Sequence, residues 1–495
     1  MTDVAHDRTV KSTVPYRIDR LPWTRFHWLV VLALGTAWVL DGLEIQMAAT
    51  IGSVLEDKET LNLTTTQVGM TASVYLLGEV IGALWFGRLA DRLGRRKLFL
   101  YTLGLYLLFN GLSGFAWDFW SFLALRFVAG MGIGGEYAAV NSAIDELIPA
   151  RYRGRVDIAV NGSYWFGAAI GAAAQLLLLN PDILPKDIGW RISLLVGPFI
   201  GLAIWQLRKH IPESPRWLLT HGQPEEAARI VDEMEKGVPP EQLPKLEPHH
   251  EIEVRPAPPV TYRQIARVML KQYRTRSILG FTMMVTQSFL YNAIFFTYAL
   301  VLANFFGVED KNIAYYFFPF AIGNFLGAVV LGPFFDTWGR RPMIAGTYIG
   351  SAVLLAISGY LFYIDALTAV TQTILWCIIF FFASAGASSA YLTVSEIFPL
   401  ELRSQAIAFF FAISQFFGGV IAPTVFGSLV GEGEDRGPLF YGYLFGAALM
   451  AVGGIVAAVI GVNAERKSLE DIASPLSMVG RSAEPPPQHE VVVPR

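Results

Sequence analysis

Apolar stretches long enough to cross a lipid bilayer recur throughout this chain and restrict what it can fold into. A helix needs about 20 mainly apolar residues to span the hydrocarbon core. We place twelve such stretches, spans 1 to 12, near residues 27–50, 67–90, 97–117, 119–147, 156–180, 190–209, 277–306, 313–335, 342–363, 367–397, 404–430 and 438–462. Only 16% of the residues are charged, against about 25% in an ordinary globular chain. The chain is therefore predicted to be an all-α integral membrane protein.

The distribution of Lys and Arg beside the spans predicts how the chain crosses the membrane, because cytoplasmic flanks carry the excess of cations. The N-terminal tail and the 2–3, 4–5 and 8–9 loops are arginine-rich, whereas the alternate loops are poor in cations and hold acids. A basic polar tail runs directly into span 1, without the pattern of a cleavable signal. We expect a multi-pass protein of the cell membrane with both termini in the cytoplasm.

One long polar segment divides the twelve spans six and six. It contains "QPEEAARIVDEMEK", whose helical spacing predicts one or two short helices against the membrane domain. The predicted organisation is an N-terminal tail (1–26), a first six-helix bundle (27–210), a cytoplasmic linker (211–275), a second bundle (276–462) and a C-terminal tail (463–495). The last residues, "LSMVGRSAEPPPQHEVVVPR", have the composition of a disordered tail.

The two groups of six spans repeat each other. "GRLADRLGRRKLF" after span 2 corresponds to "GPFFDTWGRRPMI" after span 8, and "DELIPARYRG" after span 4 corresponds to "SEIFPLELRS" after span 10. Two motifs repeating at nearly the same offset indicate an internal duplication. Halves of this kind pack around a central cavity near the bilayer midplane, as in transporters that work by alternating access.

These motifs resemble those of the major facilitator superfamily, and in particular its sugar-porter-like branch. The repeated G-x-x-x-D-x-x-G-R-R resembles the superfamily signature, and "PESPRWLL" (212–219) and "ERKSLEDI" (465–472) resemble the sugar porters' motifs after spans 6 and 12. The resemblance covers residues 20 to 472 and implies two pseudo-symmetric six-helix bundles joined by a cytoplasmic helical linker. It also implies secondary active transport of a small solute.

The loop motifs predict a gate on the cytoplasmic side. Asp91 and Asp336 lie at helix ends, where a carboxylate can pair with arginines of neighbouring loops or meet a helix N-terminus. The alternative is that the arginines only contact anionic headgroups. The candidate gate residues are Gly87, Asp91, Arg95, Arg96, Glu146, Arg153, Asp336, Arg340, Arg341, Glu396 and Arg403.

Five charged residues lie inside the spans of the first half, where each costs at least about 2.5 to 3.5 kcal/mol on insertion scales. They are Asp41 and Glu44 of span 1, Glu79 of span 2, and Arg126 and Glu136 of span 4. In proton-coupled sugar porters an Asp of span 1 and an Arg of span 4 occupy positions matching Asp41 and Arg126. Burial favours the neutral acid and a nearby guanidinium favours the carboxylate. We therefore predict that the five form a proton-coupling site with Asp41 and Arg126 as a pair, although a structural ion pair remains the alternative for any of them.

Polar residues of spans 5, 7 and 10 are the candidates for substrate binding. "TQSFLYNAIFFTY" in span 7 resembles the sugar porters' Q-Q-x-x-G-x-N-A-x-x-Y-Y, and Gln287 and Asn292 match its amides. Asn161 occupies the place of a sugar-binding Gln, and Tyr391 departs from the usual Trp of span 10. These residues suit a small polar solute with a ring, such as a sugar. "LDGLEI" in span 1 also resembles the D-G-x-D/E of aromatic-acid and organic-ion branches, so an organic acid, a nicotinate-like compound or an organic ion stays open.

Other classes of function lack their signatures. "GMGIGG" has dinucleotide-loop spacing, but it lies inside span 4, so Gly130, Gly132 and Gly135 are interpreted as helix-packing residues. No phosphate-binding loop occurs, and Cys377, the only cysteine, offers no disulfide or thiol metal site. We expect a non-enzymatic protein without cofactor, metal or nucleic-acid partner, acting as a monomer on a small substrate and a proton in the bilayer. An uncoupled facilitator or a non-transporting sensor is the alternative.

Overall fold

Twelve long helices form the body of the protein, as the sequence predicts. The computed structural model describes residues 9–246, 251–255, 262–431, 433 and 435–478, at some of which, including Asp91, only the backbone is described. The spans are Arg25–Leu55, Thr65–Leu93, Arg95–Ser113, Phe119–Leu147, Arg153–Leu178, Lys186–Arg208, Arg274–Phe306, Asp310–Thr337, Arg340–Tyr363, Ala369–Ile397, Arg403–Val430 and Gly437–Ile460. Span 11 changes from α-helix to π-helix at Phe416–Ile421 and continues as α-helix from Ala422.

Nine of these helices are long and apolar enough to cross a membrane by length and composition, counting only described residues. The other three, spans 3, 4 and 5, carry much of the charge of the first half. Span 3 begins with three consecutive cations, and span 4 holds Arg126, Glu136, Asp145 and Glu146. The charged side chains inside span 4 are buried within the protein.

The packing of the helices repeats between the two bundles. Span 1 packs on span 5, span 2 on span 4 and span 3 on span 6, and their counterparts pack as 7 on 11, 8 on 10 and 9 on 12. The bundles meet where span 2 lies on span 11 and where span 5 lies on span 8, two contacts related by the same symmetry. The internal duplication inferred from the loop motifs is therefore also present in the tertiary structure.

Glycines allow spans 2 and 4 to approach closely. A Cβ added at Gly130 would lie 2.3 Å from the Tyr75 carbonyl oxygen, and one at Gly134 would lie 1.9 Å from the Glu79 carbonyl oxygen. At Gly132 the added atom would be 2.8 Å from the carbonyl oxygen of Thr102 in span 3. Small residues at such contacts are how membrane helices pack backbone to backbone. The interpretation of "GMGIGG" as a packing motif is confirmed.

The tails and the linker gather at one face, which we call the terminal face; the other is the opposite face. The N-terminal tail forms a strand, Val10–Ser12, and a helix, Val14–Asp19. The linker contains helices Pro215–Thr220, Pro224–Glu235 and Tyr262–Arg267, a 3₁₀ turn at Pro240–Gln242 and a π-helical turn at Val268–Gln272, and Leu469–Ile472 is a short helix after span 12.

The linker is tied to the N-terminal tail. Val10–Ser12 pairs antiparallel with a linker strand at Ile252–Val254, which the sequence does not predict. Arg17 donates to Asp232 and Glu235 of the linker, both at 2.6 Å. The predicted short helices of the linker are present at 215–220 and 224–235. Most of the predicted disordered tail, residues 479–495, lies outside the described part of the chain.

Candidate functional site

A cavity of about 360 Å³ lies between the two bundles. Spans 1, 2, 4 and 5 form one wall, and spans 7, 10 and 11 form the other. All four predicted substrate-binding residues, Asn161, Gln287, Asn292 and Tyr391, line this cavity. Its volume suits one small organic molecule.

The end of the cavity nearer the terminal face is aromatic. Tyr137 stacks on Phe411 with ring centroids 4.5 Å apart, and Trp38 meets Tyr137 edge-on at 4.6 Å. Tyr391 lies 6.3 Å from Tyr137 in a stacked orientation. These four residues, two from each bundle, form what we call the aromatic floor. It offers flat apolar surfaces to a ring-bearing solute.

The amides that line the cavity are held by their own helices. Gln287 donates to the Met284 carbonyl oxygen at 3.2 Å, and Asn292 donates to the Ser288 carbonyl oxygen at 2.9 Å. Asn161 likewise donates to the Asp157 carbonyl oxygen at 2.9 Å, and its amide nitrogen also donates to Asn141 Oδ1 and Asp157 Oδ1 at 3.0 Å each. It belongs to a polar group beneath the cavity as much as to the cavity wall.

Arg126 is the cation of the cavity wall. Its Nη1 donates to Asn110 Oδ1 at 2.7 Å, and its guanidinium carbon lies 4.2 Å from the Tyr75 ring centroid. Asn110 is itself anchored, donating to the Leu194 carbonyl oxygen at 3.0 Å. A guanidinium has five N–H donors in a fixed planar fork. The arrangement therefore presents an oriented positive charge to the cavity.

The predicted ion pair between Asp41 and Arg126 is not formed in this structure. Among the described ion pairs Asp41 takes no part, and one of its oxygens has no hydrogen-bond donor. Arg126 is held instead by Asn110 and the face of Tyr75. Asn110 of span 3 accepts a hydrogen bond from the guanidinium, and the ring of Tyr75 in span 2 lies against it. The sequence does not show that these side chains are adjacent to Arg126.

Asp41 belongs to a cluster of buried acids. Its charged neighbours are Glu136, Arg208, Glu79 and Glu44. Arg208, at the end of span 6, is ion-paired with Glu136 and donates to the Ala33 carbonyl oxygen at 3.2 Å. Sequence reasoning missed Arg208 because a cation at a helix end is typical of a membrane flank, whereas here it is 1% exposed.

We call Asp41, Glu44, Glu79 and Glu136 the midspan acid cluster. Its other two members, Glu79 and Glu44, lie on opposite sides of the cluster. Glu79 lines the cavity and accepts from Gln415 of the second bundle at 3.1 Å. Glu44 faces span 6, where a Cβ added to Gly197 would lie 1.3 Å from its Oε1. Four buried carboxylates share two guanidiniums, Arg126 and Arg208. Uncompensated buried charge is costly, so the cluster is suited to binding protons.

We expect Glu136→Ala to destabilise the protein by about 3 to 5 kcal/mol, because it leaves Arg208 buried without its ion-pair partner. The measurement is thermal unfolding of the purified protein in detergent. The matched control is Glu226→Ala, which breaks the pair with Arg229 in the linker, where both side chains are largely exposed. Equal melting temperatures for the two variants would contradict the assigned role of the Glu136–Arg208 pair.

The repeated loop motifs meet in an ion-pair layer on the terminal side of the floor. Glu146 accepts from Arg95 of its own bundle at 2.9 Å and lies 3.5 Å from Arg403 of the other bundle. Glu396 repeats this arrangement, accepting from Arg340 at 2.9 Å and lying 3.6 Å from Arg153. We call these six residues together with Asp336 the gate layer. Each glutamate links an arginine of its own bundle to one of the other.

Asp336 joins the bundles by capping a helix. Its carboxylate accepts from the backbone N–H groups of Gly154 at 3.0 Å and Arg155 at 2.9 Å, at the start of span 5. A carboxylate is stabilised at this positive end of a helix. Asp91 is its counterpart in the repeat, but the Asp91 side chain lies outside the described part of the structure.

The remaining gate candidates lie beside this layer. Arg96 donates to the Lys209 carbonyl oxygen at 2.9 Å, and Arg341 donates to the Ala458 carbonyl oxygen at 2.6 Å. They tie each loop motif to the end of span 6 or span 12 of the same bundle. Gly87 is buried within span 2. These three therefore do not bridge the two bundles themselves.

The two sugar-porter-like motifs supply further parts of this face that sequence reasoning did not assign. Glu213 accepts from the Arg95 backbone N–H at 2.8 Å, and its counterpart Glu465 accepts from that of Arg340 at 3.3 Å. Arg216 donates to both Glu470 and Asp19 at 2.9 Å. The linker, the N-terminal tail and the segment after span 12 are thus connected to the gate layer.

The cavity is separated from the terminal face and extends towards the opposite one. Its lining includes Ile51, Leu55, Val68 and Phe122, which lie near the opposite-face ends of spans 1, 2 and 4. Towards the terminal face it meets the aromatic floor and then the gate layer, where Ser142 and Ser404 of the two bundles are 3.0 Å apart. The structure is therefore closed on its terminal side.

Comparisons with known proteins agree with this architecture. The family model for sugar (and other) transporters matches residues 41–475. The niacin transporter NiaP of Acinetobacter baylyi is 27% identical over 459 residues, covering 92% of this chain and 98% of the relative. A probable 4-methylmuconolactone transporter of Cupriavidus pinatubonensis is 25% identical, covering 80% and 81% of the two chains.

Among solved structures, the chain is similar to the major facilitator superfamily proton:xylose symporter XylE bound to 6-bromo-6-deoxy-D-glucose. The TM-score is 0.73 at 18% identity, and the match covers 90% of this chain and 98% of the other. This likeness confirms the fold of two six-helix bundles. The matching family and the named relatives are transporters, so the protein is a multi-pass membrane transporter and not an enzyme. The chain therefore belongs to the sugar (and other) transporter family.

Proposed function

We propose that this protein is a proton symporter that takes up a small aromatic or heteroaromatic monocarboxylate by alternating access, with its terminal face in the cytoplasm. The observation that carries the proposal is an oriented guanidinium, Arg126, in a cavity whose lining also includes ten aromatic side chains. Arginine pairs with carboxylates through two parallel hydrogen bonds. The proposal thus favours the organic-acid alternative over a sugar.

The shape and chemistry of the cavity support a flat ligand. Besides the aromatic floor, Trp165 lies 5.8 Å from Tyr291 and 5.6 Å from Phe295 in the cavity wall. A planar ring between these surfaces would be covered on both faces, with its carboxylate towards Arg126. The names of the relatives, a niacin transporter and a probable 4-methylmuconolactone transporter, support cyclic carboxyl or carbonyl compounds.

The midspan acid cluster supports proton coupling. Its excess of carboxylates over guanidiniums means that a bound proton lowers the electrostatic cost of the buried charge. An anionic substrate entering beside Arg126 occupies the guanidinium that faces Glu44 and Glu79. Substrate binding and protonation of these acids should therefore favour each other, as symport requires.

The test is uptake into proteoliposomes of labelled nicotinate, benzoate and xylose, with and without an inward proton gradient. We expect gradient-stimulated uptake of the aromatic acids and no competition from xylose. A proton ionophore should remove the stimulation. Saturable xylose uptake that nicotinate does not inhibit would support the sugar alternative instead. Aromatic-acid uptake that ignores the gradient would indicate an uncoupled facilitator.

The gate layer predicts a specific change in accessibility. Asp336→Asn should weaken the cap on span 5 and its contact with Arg340, which is 2.9 Å from Asp336, and so favour opening at the terminal side. The probe is a cysteine at Ser142, fully buried between the bundles, in a background carrying Cys377→Ser. A membrane-impermeant thiol reagent applied from the terminal side should label it several-fold faster.

The matched control for this experiment is Asp365→Asn. Asp365 pairs with Arg436 at 2.7 Å but is 73% exposed and lies at the opposite face. It should leave the labelling rate at position 142 unchanged. A rate in Asp336→Asn no faster than in this control would reject the gate role of Asp336.

A further inference from the structure

Buried polar side chains connect the cavity to the gate layer through the first bundle. Asn161, in the cavity wall, donates to Asp157 Oδ1 and to Asn141 Oδ1, both at 3.0 Å. Asp157 is one helical turn nearer the terminal face than Asn161 on the same helix. Asp145 lies beyond it, one residue before Glu146 of the gate layer, and faces Asp157 electrostatically. We call Asp145 and Asp157 the inner acids.

The inner acids are buried without adequate hydrogen bonds. Each is 0% exposed, and both oxygens of Asp145 and the Oδ2 of Asp157 have no donor in bonding geometry. The Ser395 hydroxyl of the second bundle faces Asp145 but donates to the Leu392 carbonyl oxygen at 2.9 Å. An ionised carboxylate in such a place is strongly unfavourable, whereas a protonated one is tolerated.

The charged groups around the inner acids already have other partners. Arg153, Arg403 and Glu396 face Asp145, and Arg340, Arg153 and Glu396 face Asp157 together with Asp145 itself. In this closed state Arg340 and Arg153 pair with Glu396, and Arg403 with Glu146. Yet the Nε atoms of Arg153 and Arg403 have no acceptor. These two arginines could therefore pair with the inner acids once the gate layer separates.

The repeat shows that the fold does not require these acids. By the alignment of Glu146 with Glu396 and Arg153 with Arg403, the position of Asp145 is Ser395 in the second bundle and that of Asp157 is Ile407. Likewise Asn141 corresponds to Tyr391 and Asn161 to Phe411. One half of the duplicated scaffold thus carries two acids and two amides where the other carries two aromatic side chains, an isoleucine and a serine.

We propose that the inner acids form a second proton-binding site, separate from the midspan acid cluster, which holds a proton while the gate layer is closed. When the layer opens, the O–H bond of the acid breaks, the proton passes to water at the terminal face, and the carboxylate pairs with Arg153 or Arg403. The proposal rests on the proposed proton symport and assigns its release step. It follows that acid at the terminal face keeps the gate layer closed.

The test measures how pH controls opening, and needs no substrate. Purified protein carrying Cys377→Ser and Ser142→Cys is labelled with a soluble thiol reagent. Each rate is divided by that of an exposed terminal-face cysteine, Lys236→Cys, at the same pH, which removes the pH dependence of thiol reactivity. The normalised rate of the parent should fall about tenfold between about pH 8 and about pH 5, as expected for a proton bound only in the closed state.

In Asp157→Asn and Asp145→Asn this pH dependence should be reduced to about twofold or less, because the amide cannot release a proton. Asp157→Glu should retain it, and Asp182→Asn, which alters an exposed acid at the opposite face, should match the parent. Thermal unfolding of the purified protein in detergent shows whether each variant is folded. If one of the Asn variants is misfolded, the other Asn variant and Asp157→Glu still test whether the inner acids cause the pH dependence of labelling.

Two results would overturn the proposal: a parent rate that does not change with pH, or Asn variants that keep the full pH dependence of the parent. Failure of the proposed symport would give a different result. Substrate uptake would not respond to the proton gradient, whereas the pH dependence of labelling would still be reduced in the Asn variants of the inner acids.

Discussion

Asp41→Asn is expected to abolish accumulation of substrate against its gradient while preserving exchange across the membrane. Asp41 is 3% exposed, has an oxygen without a donor, and lies among Glu44, Glu79, Glu136 and Arg208. An amide at this position imitates the protonated acid permanently. The carrier can then bind substrate and change conformation without a proton, so the gradient no longer drives it.

The measurement compares two assays on the same proteoliposomes. Uphill uptake under an inward proton gradient should fall to the level of passive equilibration, whereas counterflow of labelled against unlabelled substrate at equal pH should continue. Asp182→Asn serves as the control, since its acid is exposed at the opposite face. If Asp41→Asn still accumulates substrate in response to the gradient, Asp41 is not the coupling acid. Glu79 and Glu136 would then be examined in the same way.

Arg126→Lys is expected to weaken binding of an aromatic carboxylate by about 30-fold or more, since disrupting a buried hydrogen-bonded charge pair costs about 2 to 5 kcal/mol. Lysine keeps the charge but cannot offer two parallel N–H donors, and it is a poor substitute at a bidentate site. It would also lose the fixed orientation that Asn110 and Tyr75 impose on the guanidinium.

The affinity of purified protein for labelled nicotinate, measured by equilibrium binding, tests this expectation. Arg229→Lys is a suitable control, because Arg229 is an exposed residue of the linker. Thermal unfolding in detergent would show whether Arg126→Lys remains folded. A folded variant with unchanged affinity for nicotinate would exclude Arg126 as the carboxylate anchor. Weakened xylose binding in the same variant would favour the sugar alternative.

The loop motifs show how much of the tertiary structure can be predicted from a local sequence pattern. The repeated G-x-x-x-D-x-x-G-R-R and the two E-x-x-P segments identify the duplication, and the structure brings Arg95, Glu146, Arg153, Asp336 and Arg340 together as a layer between the bundles. Such residues can be found from sequence because identical motifs in two halves must occupy related positions. The functional role of this layer stays a prediction until accessibility is measured.

The linear sequence by itself determined the membrane class, the twelve helices, the duplication and which midspan charges are unusual, because each depends on residue type and on spacing along one chain. Only the tertiary structure decided which groups those charges meet. It placed Asn110 and Tyr75 against Arg126, turned Arg208 inward to Glu136, and buried Asp145 and Asp157 beneath the cavity. These contacts join different helices, and the rotation and depth of one helix relative to another are set by packing across the whole bundle.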